Sequence, residues 1–391
     1  MIIKPSERIG EVRAYYFATK LSEIAEMNAR GENVLNLGIG SPDLLPPPQV
    51  LEKLQSASKG DKANMYQSYK GLPVLREAFA HHYKKMMNVD VDPSKEVLPL
   101  IGSKEGIMHI SMSFLNKGDQ VLVPNPGYPS YRVTAELAGA TPIFYDLTEE
   151  SNWLPDLNKL EQSDLSKVKI MWMNYPNMPT GATVDNDTLE NIVAFAKRNN
   201  ILLCHDNPYN FILNDEPRSI FNIKGAKECC LELCSLSKCF NMSGWRVGAL
   251  IGDKKYVDVV MRFKSNMDSG MYRPIQEAAA VALELGDEWF SSLNAVYKER
   301  RRIVHDIFEL LNCDYNLNSA GLFVWAKAPN YIQDVPAWAD DILQQAKVFI
   351  TPGFIFGSNG EKYLRIALCT DVSGLKQAKH RIESRFIKAI A

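Results

Sequence analysis

Seven cysteines, an odd number, are scattered through the 391 residues without one C-x-x-C pair. Neither a secreted disulfide framework nor a cysteine zinc site is indicated, and a reduced, cytoplasmic protein is expected. The six histidines show no metal-ligand spacing, so no metal is expected. No stretch reaches the ~18 uninterrupted apolar residues of a membrane span, and "MIIKPSERIGEVRAYYF" at the start has no apolar run of signal-peptide length. A formal charge of −2 provides no global field for nucleic acid or an anionic membrane, so the ligand should be small. Two phosphate fingerprints are also missing. There is no G-x-x-x-x-G-K-[ST], and "GIG" at 38–40 lacks the third glycine of a dinucleotide site.

What is present reads as an α/β chain long enough for two domains, with 46% apolar and 23% charged residues. Between about 95 and 252 short apolar runs ("VLPLIG", "QVLVP", "TPIFYDL", "KVKIMWMNY", "ILLCHD", "LELCSLS", "VGALIG") alternate with helical patterns such as "SKEGIMHISMSFLN" and "TLENIVAFAKRNN". Strands buried on both faces with helices between them imply a mostly parallel sheet covered by helices, with ligands at the strand carboxyl ends. After Gly286 come a long charged helix, the strands "GLFVWAKA" and "YLRIALC", and helices near 336–347 and from about 373. We therefore expect a large domain over 42–286 and a smaller α+β domain from 1–41 and 287–391, with "NVLNLGIG" a strand of the latter.

Chemistry gathers just after the apolar runs. "IGSKEG" ends a strand and opens a helix at Ser103, where free backbone N–H groups and the helix dipole favour a phosphate, although most such starts are simple caps. "PNPGYPSY" sets Tyr128 beyond the next strand, where its face could stack on a flat ring or pack in the core. "ILLCHDNPYNF" carries Asp206 to the end of a strongly apolar strand, where it needs a cation or a donor, with Tyr209 three residues on. "SLSKCFNMSGWR" places one lysine, Lys238, between an apolar run and Cys239–Phe240, with Arg246 eight residues later. A snorkelling strand-end lysine and a desolvated nucleophile both fit that segment taken alone. Together with the turn "NYPNMPTG", the set matches a ring bearing a pyridinium, a phosphate and an aldehyde, namely pyridoxal 5'-phosphate.

On these motifs and their order, the chain resembles the class I/II, aspartate aminotransferase-like enzymes of fold type I over essentially its whole length. The resemblance implies that Lys238 forms the Schiff base and shuttles the proton, that Asp206 keeps the pyridine nitrogen protonated, and that Tyr209 donates to the phenolic oxygen while Tyr128 stacks on the ring. It implies a phosphate site made by Ser103, Lys104, Ser235 and Arg246, with Ser237 beside it, and an α-carboxylate grip by Arg365 in "YLRIALC". Gly40 would pass its backbone close to the substrate. Tyr15 would touch the substrate by a looser match. Tyr66, in "YQSYKGLPVLREAF", would reach the phosphate of a second subunit, implying a homodimer with shared sites. Arg273 is the nearest candidate for a second, side-chain-reading arginine. One place departs from the pattern. Met178 stands where the family has an asparagine before Pro-Thr-Gly, leaving Asn177, one position earlier, as the expected substitute.

The implied activity is a ping-pong transfer of an amino group from an L-amino acid to a 2-oxo acid. A β C–S lyase on the same scaffold is the alternative within this chemistry. A non-catalytic ligand sensor is the alternative outside it, and no basic DNA-binding helices accompany the fold to favour it.

Overall fold

The computed structural model describes residues 3–10 and 16–387. After the short strand β1 (Leu35–Asn36), seven strands build the central sheet: β2 (Val97–Leu100), β3 (Gln120–Asn125), β4 (Thr141–Asp146), β5 (Val168–Met173), β6 (Leu202–Asp206), β7 (Cys230–Ser235) and β8 (Gly248–Gly252). Their order is β2-β8-β7-β6-β5-β3-β4, with β8 alone antiparallel to its neighbours. Each of the seven apolar runs between 95 and 252 is one of these strands.

Period-two alternation assigns side chains to the two faces. Leu122, Met171, Met173 and Leu203 pack in one layer with Leu189, Ile192 and Phe195 of the helix Asn186–Arg198. Val121, Ile170, Trp172 and Cys204 pack in the other with Ile107 and Ile110 of the helix Ser103–Phe114. The covering helices start where the sequence supplies caps. Asp185 accepts from Thr188 N and Asp253 from Lys255 N. At the open edge, β4 is largely exposed.

A second, antiparallel sheet follows, ordered β12-β13-β10-β9, from β9 (Asp314–Tyr315), β10 (Phe323–Lys327), β12 (Thr351–Pro352) and β13 (Tyr363–Ala367). The short β11 (Val348–Phe349) pairs in parallel with β1, so the segment around residue 35 adds to the C-terminal part of the chain. The loop that leaves it is pinned by Asp43. Both its carboxylate oxygens accept from Arg300 of the long helix Asp287–Leu310, at 2.6 and 2.8 Å, and Arg300 is buried. No helix among the described residues is long and apolar enough to cross a membrane.

Candidate active site

The carboxyl ends of β2, β5, β6 and β7 open on one cavity of about 640 Å3, closed on its other side by the segment 38–41, β10 and β13. This size is that of a small-molecule site. At the end of β2, Gly102 adopts φ +82° and caps the helix that begins at Ser103. A Cβ there would collide with the Arg246 guanidinium, so only glycine lets that arginine lie across the helix start. Arg246 itself takes the left-handed φ of +58° and donates through Nη1 to Ser243 O at 2.8 Å. Ser103, Lys104, Ser235 and Ser237 line the same end of the cavity. A helix N-terminus, hydroxyls and the Arg246 guanidinium form a cradle suited to a phosphate.

Opposite this cradle, β6 delivers Asp206. One carboxylate oxygen, Oδ2, accepts from Tyr131 Oη at 2.8 Å, while Oδ1 is buried with no partner among the described residues. Burial raises its pKa to about 6, against a smaller opposing pull from the Tyr131 hydrogen bond. A protonated ring nitrogen is the kind of donor this oxygen lacks. Tyr131 stacks on Trp172 at 4.9 Å, which fixes its hydroxyl, and Tyr128 lies edge-on to Tyr131 on the cavity wall. The orphan oxygen, the cradle and the aromatic wall fit pyridoxal 5'-phosphate.

Lys238 enters between them, on the short helix Leu236–Cys239 capped by Ser235. Its Nζ donates to Gly40 O at 2.5 Å. Burial pushes its pKa below the ordinary lysine value, with Arg365 and Arg246 adding to that effect and Cys369 opposing it. Such an amine is easier to deprotonate and so a better nucleophile. Tyr209 lines the cavity, and burial raises its phenol pKa, keeping it a donor.

Arg365, on β13, is buried and projects into the cavity at the end away from the cradle. Its Nη2 donates to Gly38 O at 2.7 Å and its Nη1 to Met178 Sδ at 3.3 Å. The guanidinium carbon lies 4.0 Å from the ring centre of Phe323, 4.5 Å from that of Phe356 and 5.7 Å from that of Phe17.

Three expected residues stand elsewhere. Asn177 does not line the cavity: its Nδ2 donates to Asn174 O and its Oδ1 accepts from Thr180 N and Oγ1, so its side chain closes its own turn. The asparagine that does line the cavity is Asn174, which donates to Asp206 O at 2.6 Å and accepts from Met178 N at 2.7 Å. Arg273 opens the helix Arg273–Glu284 outside the cavity and is paired with Glu277 at 2.7 Å. Tyr66 is 90% exposed and does not line the cavity. Tyr15 lies outside the described residues.

Asn174 and Tyr131 escape the sequence reading, although each leaves a signal there. Asn174 directly follows β5, and Tyr131 falls three residues after Tyr128, on the same face of a helix start. A group with metal-ligand atoms, Glu105, His109 and Asp268, also occurs within 4.8 Å, but Asp268 is already paired with buried Lys264 and Glu105 accepts from Ile101 N.

A family model for class I and II aminotransferases matches residues 32–382. An LL-diaminopimelate aminotransferase of Dehalococcoides mccartyi is 41% identical over 94% of this chain and 95% of its own, and one of Aquifex aeolicus 37% identical over 97% and 98%. The substrate-bound structure of BacF from Bacillus subtilis superposes with a TM-score of 0.93 at 36% identity, covering 98% of both chains. With the match running from the segment before β1 to the last helix, through all the strands that open on the cavity, the chain belongs to the class I and II aminotransferase family.

Proposed function

We propose that this aminotransferase works with pyridoxal 5'-phosphate held at Lys238, moving an amino group from an L-amino acid to a 2-oxo acid in two half-reactions. The observation that carries the proposal is the pairing, in one cavity, of a half-buried lysine amine with a buried carboxylate oxygen that has no partner among the described residues. When bound, the cofactor supplies an aldehyde for amine exchange and a ring that withdraws electrons. Asp206 Oδ1 holds a proton on the ring nitrogen, and Asn174 steadies the backbone of Asp206. Tyr209 donates to the phenolic oxygen and Tyr128 covers the ring. Ser103, Lys104, Ser235, Ser237 and Arg246 take the phosphate. Arg365 binds the α-carboxylate, and Gly40 keeps that path open. Lys238 Nζ would take the proton from the amino acid's Cα and return it on the far side of the amino nitrogen, a 1,3-shift that leaves the nitrogen on the cofactor.

A homodimer with shared sites is part of the proposal. Tyr66 sits in a loop beside the one containing Gly270, where a Cβ would meet Gln67 O at 2.7 Å. The two loops and their flanks expose Met65, Tyr66, Tyr69, Met267 and Tyr272, an apolar surface of the kind that a second subunit covers. The relatives' name makes LL-diaminopimelate one donor to test.

The test adds a panel of L-amino acids to purified holoenzyme and follows the visible absorbance of the bound cofactor. At least one should shift it, and a 2-oxo acid should restore it. Lys238→Ala should lose the protein-bound absorbance and nearly all turnover, while Lys104→Ala, acting through its backbone, should keep the absorbance. Retention of that absorbance without Lys238 would falsify the assignment.

A further inference from the structure

We infer that the side-chain pocket of this enzyme selects amino acids with a large uncharged apolar side chain, aromatic ones included, over dicarboxylic, basic or diaminodicarboxylic substrates. The inference rests on the proposed function and deepens it. Five charged residues line the cavity, and the proposal places each one: Lys104, through its backbone and with its side chain exposed, and Arg246 at the phosphate, Asp206 at the ring nitrogen, Lys238 at the reacting carbon and Arg365 at the α-carboxylate. Among the described residues none is left over to meet a second charge.

The remaining wall is apolar apart from the Ser41 and Ser243 hydroxyls. Phe17 and Leu21 come from the helix Tyr16–Ala29, Ile39 from the segment that crosses between the sheets, Phe323 from β10, Phe356 from the turn before β13, and Met178 from the turn after β5. Three of these rings also surround the Arg365 guanidinium, at 4.0, 4.5 and 5.7 Å, so the carboxylate grip and the apolar wall are one structure. A side chain bound at its α-carboxylate by Arg365 must leave along those rings. Gly40 brings the backbone flush with that wall, because any Cβ there would strike the Phe323 ring.

A carboxylate or ammonium placed against this wall would lose its water and find no partner, whereas an apolar side chain would gain by burial. Lys20, on the helix that carries Phe17 and Leu21, and Arg273, the arginine expected to read a side chain, are already committed. Lys20 is bound to Glu23 and Asp340 at 2.8 Å each, and Arg273 to Glu277, which also takes Lys53 at 2.9 Å.

The experiment measures the second-order rate constant at which each amino acid converts the cofactor of the holoenzyme, in single turnover without a 2-oxo acid. L-phenylalanine, L-leucine and L-methionine should react at least about tenfold faster than L-aspartate, L-glutamate, L-lysine and LL-diaminopimelate. Leu21→Arg, which adds a cation at the half-open rim, should shift the glutamate-to-phenylalanine ratio upward by about tenfold. If LL-diaminopimelate or a dicarboxylic amino acid reacts fastest in the wild-type enzyme, the inference is overturned while the aminotransferase reading stands. If no amino acid changes the absorbance, that reading fails and this one falls with it.

Discussion

The Met178 thioether accepts from Arg365 Nη1 at 3.3 Å, placing a soft, weak acceptor where the family pattern has an amide. A thioether fills volume against the guanidinium without holding its charge strongly. Met178→Leu keeps the volume and should cost under about 1.5 kcal/mol of stability, with KM for the amino acid changed less than about threefold. Met178→Ala removes one wall of the arginine's box. It should cost about 2–5 kcal/mol and raise KM roughly tenfold with a much smaller effect on kcat. Denaturant unfolding and initial rates decide this. A fall in kcat at unchanged KM would mean that Met178 acts at the reacting atoms instead.

Asp206 links the site to pH. Burial raises its carboxyl from 3.8 to about 6 in the cofactor-free protein, so there the folded chain binds this proton more tightly than the unfolded chain. Its contribution to stability is therefore fully present below pH 3.8 and is lost as pH rises through 6, leaving a penalty on the order of 1–3 kcal/mol near neutrality. Asp206→Asn should remove the penalty and make the cofactor-free protein more stable than wild type at about pH 7.5. With pyridoxal 5'-phosphate added the order should narrow or reverse, because the wild-type carboxylate then gains a charged donor. Thermal melts with and without cofactor test this. Equal stabilisation of both proteins by the cofactor would place the ring nitrogen away from Asp206.

The sheet and most of the cavity were legible because the signals were local. Each strand announced itself as an apolar run, and the cavity residues Ser103, Asp206 and Lys238 end such runs or follow them directly. The turn "NYPNMPTG" misled because its two asparagines are equivalent as residue types. Which one faces the cavity depends on the path of the turn, and Asn177 is taken by Thr180 while Asn174 is left for Asp206. The box around Arg365 was not legible either. Phe17, Phe323 and Phe356 are far apart in the chain, and only the packing of three elements brings their rings to one guanidinium. No periodicity records that convergence.

On β7, across from His205 of β6 and so on the sheet face opposite Asp206, a second buried carboxylate ties the two strands together. Glu232 is fully buried and accepts from Tyr83 Oη at 2.7 Å, Ser219 Oγ at 2.9 Å and Ile220 N at 2.9 Å, while His205 Nδ1 lies 2.8 Å from Oε2. Glu232→Ala would leave these groups buried without their acceptor, and should cost about 3–5 kcal/mol. Glu232→Gln keeps one oxygen acceptor and should cost less. Because the network does not enter the cavity, the fraction that folds should retain near-normal kcat and KM. A Glu232→Ala protein of wild-type stability would show that water replaces the carboxylate.

The exposed Tyr66 distinguishes a shared site from a self-contained one. In the proposed dimer its hydroxyl completes the partner's phosphate site, which is why it is 90% exposed on its own subunit. Tyr66→Ala subunits lack what they should give away, and Lys238→Ala subunits lack what they should keep. A heterodimer of the two therefore has one site with neither group and one site with both. Unfolding and refolding an equal mixture should leave about half the dimers mixed, and so restore about a quarter of wild-type sites. The double variant Tyr66→Ala/Lys238→Ala mixed with wild type gives the control, since its heterodimers contain no complete site. Activity in the first mixture that never rises above the two parents would mean that Tyr66 serves its own chain or none. Activity near a quarter of wild type, absent from the double-variant heterodimer, would establish that each cavity is built by two subunits.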